Sequence, residues 1–563
     1  MHFPDSSPRA SLYYNYQIFP FRRPPELNGE SVQHKVVIVG AGPVGLVTAL
    51  DLARYGIPSV LVEADVQVSQ GSRAIVFTRR SMEILQQVGV ADRMMEKALP
   101  WRCGNSIYRG ERVFRMEAPY DEDDRYQPMN NLQQQYLEEY LVDQAEAEPL
   151  VDLRWGTKVT AITNRADGVA LTVDTPEGEY QLHSDWLVAS DGARSAVRGM
   201  MGLRMEGDSY TGSFVIADIK IDIDLPTERL AFFDPDWNPG NTILMHKEPE
   251  GIWRLDYQLP VGETPEEALQ PESLHKRIQA QLDMIGVTAE WEMDWCSVYS
   301  ARAMTLPDYV NDRVLFTGDA AHMLPIFGVR GANTGWQDCH NMAWKLAFKI
   351  KGWAPDHLLP SYSQERVVAA WEIIDEASKS TRFMTPPDRG FRLLRDATLS
   401  LSLTQPFVRP LFHWRTSRAH DYVESVLNCN RDDNARCTAG PANGSPLQNI
   451  KLGENDYLFD HLGASIYLFY FSDQAELPQS LLLLKEAVAR SGVPFEIVQI
   501  CRQALQVTGH MLIQDADGHM HERYGAEEGT TYLIRPDQHV AARWKQQDNG
   551  DVLTALKQLI SLA

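Results

Sequence analysis

The chain has 563 residues, 44% hydrophobic and 23% charged, the balance of a soluble globular protein with room for roughly two to four domains. Its 76 acidic residues outnumber 53 basic ones, for a net charge of −23, which argues against nucleic acid as a partner because phosphate binding needs a basic face. Six scattered cysteines, at 103, 296, 339, 429, 437 and 501, form no C-x-x-C pair, so no disulfide framework or metal site is expected, and a cytoplasmic location is. No run of about 18 apolar residues predicts a membrane span.

Residues 1–33 read as an extended arm. Lys35 to Val39 is a short valine-rich run that predicts a buried strand; helical spacing follows at Leu46 to Tyr55, then a second strand at Ser59 to Glu63. This is one strand–helix–strand crossover. Helices are expected at Ser81 to Gly89 and Leu132 to Ala147, and strands at Leu153 to Trp155, Thr157 to Asn164, Val169 to Asp174 and Trp186 to Ser190. Residues 205–300 alternate apolar and polar positions in many short runs, the pattern of a sheet-rich domain that could wall a pocket. Arg313 to Thr317 reads as a buried strand, Asn333 to Lys351 as a helix, and 356–428 as mostly helical. A turn-rich stretch at Asn430 to Pro446 marks a boundary before a compact α/β unit.

Three segments carry chemistry. Gly40-Ala41-Gly42-Pro43-Val44-Gly45 lies between the first strand and its helix, where Gly40 permits a tight turn, Gly42 admits a pyrophosphate to the helix N-terminus and Gly45 allows close packing. Glu63, 18 residues after Gly45, ends the second strand, where a carboxylate can accept hydrogen bonds from ribose hydroxyls. Together these predict dinucleotide binding. Asp191-Gly192 follows a strand and is, by itself, equally a turn with a capping acid. Gly318-Asp319-Ala320-Ala321-His322 also follows a strand and runs through Gly328, Gly331, Asn333 and Gly335 into the long helix. A strand-end carboxylate there can bind a polyol, and a glycine-rich helix start can face a developing anion.

In this order the three segments resemble the single-component FAD-dependent aromatic-ring hydroxylases, in the branch that includes phenol hydroxylases, pentachlorophenol monooxygenase and 3-(3-hydroxyphenyl)propionate hydroxylase. Residues 313–346 look like that family's flavin-ribityl segment, and Tyr532 to Trp544 like the end of its thioredoxin-like domain. The resemblance implies an α/β fold: a Rossmann-type FAD-binding domain (34–200 and 300–428), an inserted β-rich substrate domain (201–299) and a C-terminal thioredoxin-like domain (446–563). It implies cofactor contacts for Gly40, Gly42, Pro43, Val44, Gly45, Glu63, Arg73, Gln134, Asp191, Gly318, Asp319, Gly331, Ala332 and Asn333. It further implies hydroxylation of a phenolic compound with O2 and NADH or NADPH through a flavin C4a-hydroperoxide, and a homodimer. A polycyclic or polyketide aromatic substrate is the alternative within the same chemistry; a flavin-binding regulator without turnover is the alternative from another class.

The loop departs from the family pattern: Pro325 is followed by Ile326, and Gly328-Val329-Arg330-Gly331 replaces a Gly-Gly-Gln. Candidates for contact with flavin and substrate are His322, Pro325, Ile326, Arg330 and Arg254, with no base named for the phenol. Arg79-Arg80 reads either as an anion clamp or as a solvated helix surface, and Trp253, Arg254 and Tyr257 either as pocket lining or as core.

Overall fold

The computed structural model describes the chain except residues 261, 326, 413–415, 430, 547–548 and 563. One sheet places Gln33–Val39 between Ser59–Val62 and Gly178–Ala189, all parallel, with Val151–Arg154 and Val314–Phe316 as outer parallel neighbours. Strands buried on both faces need continuous apolar runs, which the chain supplies at Val36 to Val39 and Val60 to Val62. The helices Pro43–Arg54 and Gly331–Ile350 pack together, and Trp336 Nε1 donates to the Pro43 carbonyl at 3.1 Å.

The second sheet runs His322–Met323, Trp291–Thr305, Glu206–Ile221, Ile252–Gln258, Thr242–Lys247, Arg229–Phe233, Cys103–Tyr108 and Glu111–Glu117. It therefore reaches outside 201–299, because the hairpin 103–117 adds two strands to its edge. The many short runs expected over 205–300 are instead two long strands of 15 and 16 residues, three shorter ones, and a 14-residue helix, Pro271–Met284. That helix carries Leu274, Ile278 and Leu282 at four-residue spacing, a period the alternation elsewhere concealed. It covers the face bearing Trp253, Leu255 and Tyr257, so Trp253 and Tyr257 are core residues.

The third sheet orders Met511–Gln514, Phe495–Cys501, Ile466–Phe471, Thr531–Ile534 and Val540–Trp544. The first three strands are parallel and Thr531–Ile534 runs against both its neighbours. The N-terminal arm straps the first two sheets together: Asp294 accepts from Arg9 Nη2 at 2.8 Å and Leu12 N at 2.6 Å, while Phe19 stacks on Trp155. Beyond residue 402 the expected helix gives way to a 3-10 segment, Pro406–Phe412, and irregular chain.

Candidate functional site

The parallel strands end together, so the motifs that follow them meet at one edge of the sheet, where open α/β sheets bind ligands. The meeting is close. Ser190 Oγ and Thr317 Oγ1 lie 2.7 Å apart, and a Cβ on Gly40, whose φ is +101°, would come within 2.6 Å of the Ser190 carbonyl. A Cβ on Gly45 would strike the Gly40 carbonyl at 1.8 Å, and one on Gly335 would reach Val44 at 2.7 Å. These glycines draw the dinucleotide turn and the Gly318-Asp319 segment together.

Gly42 behaves differently. A Cβ there would meet nothing within 4 Å, so the N-terminus of the helix Pro43–Arg54 opens onto free space, and no side chain caps it. This open, uncapped cradle fits the pyrophosphate of FAD, since the first turn leaves its N–H groups free. Glu63 closes one side, its carboxylate accepting from Ala41 N at 2.7 Å and Asp65 N at 3.1 Å. Burial holds that carboxyl above its usual range, offset by these hydrogen bonds.

Asp319 stands exposed at the end of Val314–Phe316, yet the surrounding protein pushes its carboxyl up, against the pull of His322, Arg73 and Arg198. Accessible but deep, it suits a hydroxyl-rich chain. Arg198 joins the second motif to the third by donating to Ala193 O at 2.8 Å and Ala320 O at 3.0 Å. Asp191 is occupied locally: Oδ1 accepts from Ser195 Oγ at 2.6 Å and Oδ2 from Val197 N at 3.0 Å, which is the capping role open to it from sequence.

Gln134 and Asn333 also spend their side chains on the protein itself. Gln134 Oε1 accepts from Arg73 N at 3.2 Å and Ala74 N at 2.9 Å, and its amide donates to Glu138 at 2.7 Å, so it shapes the Arg73 turn. Asn333 Oδ1 accepts from Thr78 N and Ser81 Oγ, and Nδ2 donates to Val76 O and Val329 O at 2.9 and 2.7 Å. It clamps the loop 327–330 onto the strand Val76–Thr78. The starting N–H groups of Gly331 and Ala332 remain as the helix's positive end. Val329, in that loop, is a β-branched residue at φ +55°, a strained conformation of the kind that gathers at functional sites.

The catalytic candidates divide. His322 is fully buried, with its Nε2 2.6 Å from Asp338 Oδ2, so its ring is engaged within the fold. Burial opposes the Asp338 charge, but His322 and Arg366 hold its carboxyl low. Pro325 is buried, Ile326 lies outside the described residues, and Arg330 is buried with Glu376 3.7 Å away. Arg254 is buried in a two-pronged ion pair with Asp218, at 2.7 and 2.8 Å, and donates to the carbonyls of Ser72 and Arg73, the latter at 3.3 Å. It ties the second sheet to the turn beside Asp319.

Arg80 is neither a clamp nor a solvated residue. It is buried and donates to Gln538 Oε1 at 2.8 Å and Asp537 O at 3.0 Å, docking the C-terminal unit. Sequence reasoning passed over Asp256. The alternation in Ile252–Gln258 was its signal: with Trp253, Leu255 and Tyr257 in the core, Arg254 and Asp256 must face the other way.

The profile of the FAD binding domain family matches residues 33–377. The chain belongs to that family. It is 28% identical over 548 residues to the 3-(3-hydroxy-phenyl)propionate/3-hydroxycinnamic acid hydroxylase of Klebsiella pneumoniae (strain 342), covering 95% of this chain and 96% of the relative. The enzyme of the same description from Escherichia coli (strain K12) is 26% identical over 537 residues, covering 94% and 95%. Among solved structures, the flavin-dependent monooxygenase PieE superposes with a TM-score of 0.76 at 23% identity, over 94% of this chain and all of that one. Aklavinone-11 hydroxylase superposes with a TM-score of 0.74 at 24% identity, over 94% and 99%. Both share the mixed α/β fold of this flavoprotein. Among the described residues no helix is long and apolar enough to cross a membrane.

Proposed function

We propose that this flavoprotein monooxygenase hydroxylates a single-ring phenolic compound with O2 and NADH or NADPH. The observation that carries the reading is the open helix N-terminus at Gly42 lying beside Glu63 and the Gly318-Asp319 segment, with a buried, partly aromatic sheet face set against the same loops. In this reading Gly40, Gly42, Gly45 and Glu63 hold the adenosine diphosphate half of FAD, and Asp319 holds its ribityl hydroxyls. Arg73 would lie alongside, and the N–H groups of Gly331 and Ala332 would stabilise negative charge on the reduced flavin. When bound, the flavin supplies electron transfer from the nicotinamide and activation of O2. The protein's own part is to place the phenol ring, exclude water and hold the phenol's proton.

The substrate class rests on the relatives, which are described as acting on hydroxyphenyl acids across nearly the full length of this chain. The C-terminal unit is read as thioredoxin-like: its strands Ile466–Phe471, Phe495–Cys501, Thr531–Ile534 and Val540–Trp544 lie in the order second, first, third, fourth, with the third antiparallel to its neighbours. Without a C-x-x-C, a structural or dimer-contact role fits it better than a redox one. Two finer parts of the reading, a cytoplasmic location that rests on the scattered cysteines and a homodimer that rests on the resemblance, are checked by fractionation and light scattering.

The test is NADH and NADPH consumption by FAD-loaded protein against phenols, hydroxybenzoates and hydroxyphenylpropionates, with peroxide and hydroxylated product quantified. One phenol that stimulates consumption and yields matching product supports the reading. Stimulation confined to polycyclic phenols moves the substrate to the larger class, and FAD binding without phenol-stimulated turnover overturns it.

A further inference from the structure

The second sheet has one face filled by the helix Pro271–Met284 and one turned toward the flavin-binding loops. Side chains alternate along each strand, so register fixes the second face as three rows. In the middle row Asp256 is paired with Ile216 on one side and Leu244 on the other, and Leu244 with Ala231. On one flank lies a polar row, where Arg254 is opposite Asp218 and His246. On the other flank lie Phe214 and Phe233, which join Leu244, Phe327 and Phe383 in an aromatic cluster. Asp256 thus stands on the seam between the charged and apolar halves of the face.

The two flanks are also where the sheet touches the flavin-binding domain. Arg254 reaches the carbonyls of Ser72 and Arg73, and Phe214 meets Phe327 edge-on at 5.5 Å between ring centres. Asp256 is bracketed by these contacts. It is 8% exposed, and its Oδ1 is enclosed without a hydrogen-bond partner among the described residues. His246 Nδ1 is enclosed in the same way. A buried carboxylate oxygen left unpartnered is costly unless something else is meant to meet it.

We propose that Asp256 accepts the hydrogen bond of the substrate's phenolic hydroxyl and then takes its proton, while the aromatic flank holds the ring. The O–H bond breaks, its electron pair stays on the ring oxygen, and the proton moves to the Asp256 carboxylate, giving a phenolate and a carboxylic acid. This makes the ring nucleophilic at the positions beside the oxygen. The assignment rests on the phenol-hydroxylase reading above.

The surroundings suit the role. Burial raises the Asp256 carboxyl to about 7, opposed by Arg254 and Arg229 and reinforced by Asp218, which brings it close to the working pH of a general base. The other titratable and charged groups near it are Glu248 and Tyr299, both raised by burial, and His246, lowered by burial and by Arg229 and Arg254. Arg73 lies on the loop packed against the face.

The experiment uses FAD-loaded protein and 3-(3-hydroxyphenyl)propionate first, then the other phenols, with hydroxylated product measured from about pH 6 to pH 9. In the wild type the product-forming rate is expected to rise through an ionisation near neutrality. Asp256→Asn is expected to keep its FAD, to lose about 100-fold or more of that rate, and to lose the ionisation. Asp256→Glu restores part of the rate with a displaced profile. A loss of less than about tenfold in Asp256→Asn, or a loss with the wild-type pH profile kept, overturns the assignment. Should Asp256→Asn not fold, the wild-type profile decides: no ionisation between about pH 6 and 8 overturns it. If the wild type forms no product from any phenol, the phenol reading itself has failed, and the assignment falls with it before any variant is made.

Discussion

Two buried charged clusters in this molecule strike the balance between burial and pairing differently. The first fastens the C-terminal unit to the flavin-binding part. There Arg535 clamps Glu365 with two hydrogen bonds of 2.6 and 2.9 Å, Lys345 adds a third at 2.7 Å, and Arg535 also binds Asp537. Burial opposes the charges of Glu365 and Asp537, yet Arg535 holds both carboxyls below their usual range. The second cluster lies on the sheet face around Asp256. Burial prevails over the attractive charges at most groups there: Asp218, Glu248 and Asp256 are pushed up and Arg229 is lowered to about 10, while Arg254, facing Asp218, Glu248 and Asp256, is held up. A cluster that satisfies its charges holds elements together, whereas one that leaves them under-satisfied keeps groups poised for chemistry.

Breaking the first cluster should cost the most. Glu365→Ala leaves Lys345 buried without its main counter-charge and Arg535 with Asp537 alone, and a loss of about 3–5 kcal/mol is expected in urea unfolding. A loss under about 1 kcal/mol would mean that the clamp is solvated and that the two clusters are not different in kind.

Asp256→Asn should act in the opposite direction. A carboxyl raised from 3.8 to about 7 binds more protons folded than unfolded across that interval, so stability falls as pH rises through it and stays low above. The variant is expected to be more stable than the wild type by up to about 4 kcal/mol above pH 8, with the gain fading toward pH 4. Thermal melts across pH read this directly, and destabilisation at pH 8 would show that the charge is compensated.

Smaller effects sharpen the picture. Tyr422→Phe removes the hydroxyl that accepts from Arg366 at 3.1 Å, and about 1 kcal/mol should be lost at every pH, since the partner stays paired with Asp338. Val329→Gly relieves the positive φ just before the start of the helix Gly331–Ile350 but loosens the unfolded chain. The balance expected is a gain of about 0.5 kcal/mol, seen as a small rise in Tm. A fall in Tm would mean that the Val329 side chain, packed against the cluster of Ile75, Val76, Trp101, Ala118 and Met129, contributes more than its backbone costs.

Much of the flavin-binding part was legible in the sequence because its rules are local. A buried parallel strand needs an apolar run, a tight turn needs glycine, and the residue after a strand end is placed by the strand itself. The glycines of the first motif, Glu63 and Asp319 could therefore be assigned a place one segment at a time. Misreadings arose where a side chain's partner lies far along the chain. Arg80 looked like a surface or anion-binding residue, but its partners are Gln538 and Asp537. His322 was placed among candidates for contact with flavin and substrate, but its Nε2 is engaged by Asp338 sixteen residues on. Gln134 and Asn333 were placed beside the cofactor, and their amides turn out to shape the loops there.

By itself, then, the sequence determined the alternation along Ile252–Gln258, the open turn at Gly42 and the carboxylates at the strand ends, because backbone geometry and a period of two or 3.6 residues are properties of neighbours in the chain. Only the tertiary structure decided which face of the second sheet meets the flavin-binding loops, which buried charges find partners and which, like Asp256 Oδ1 among the described residues, are left without a hydrogen bond. Burial and pairing are sums over residues hundreds of positions apart, and no local pattern contains them.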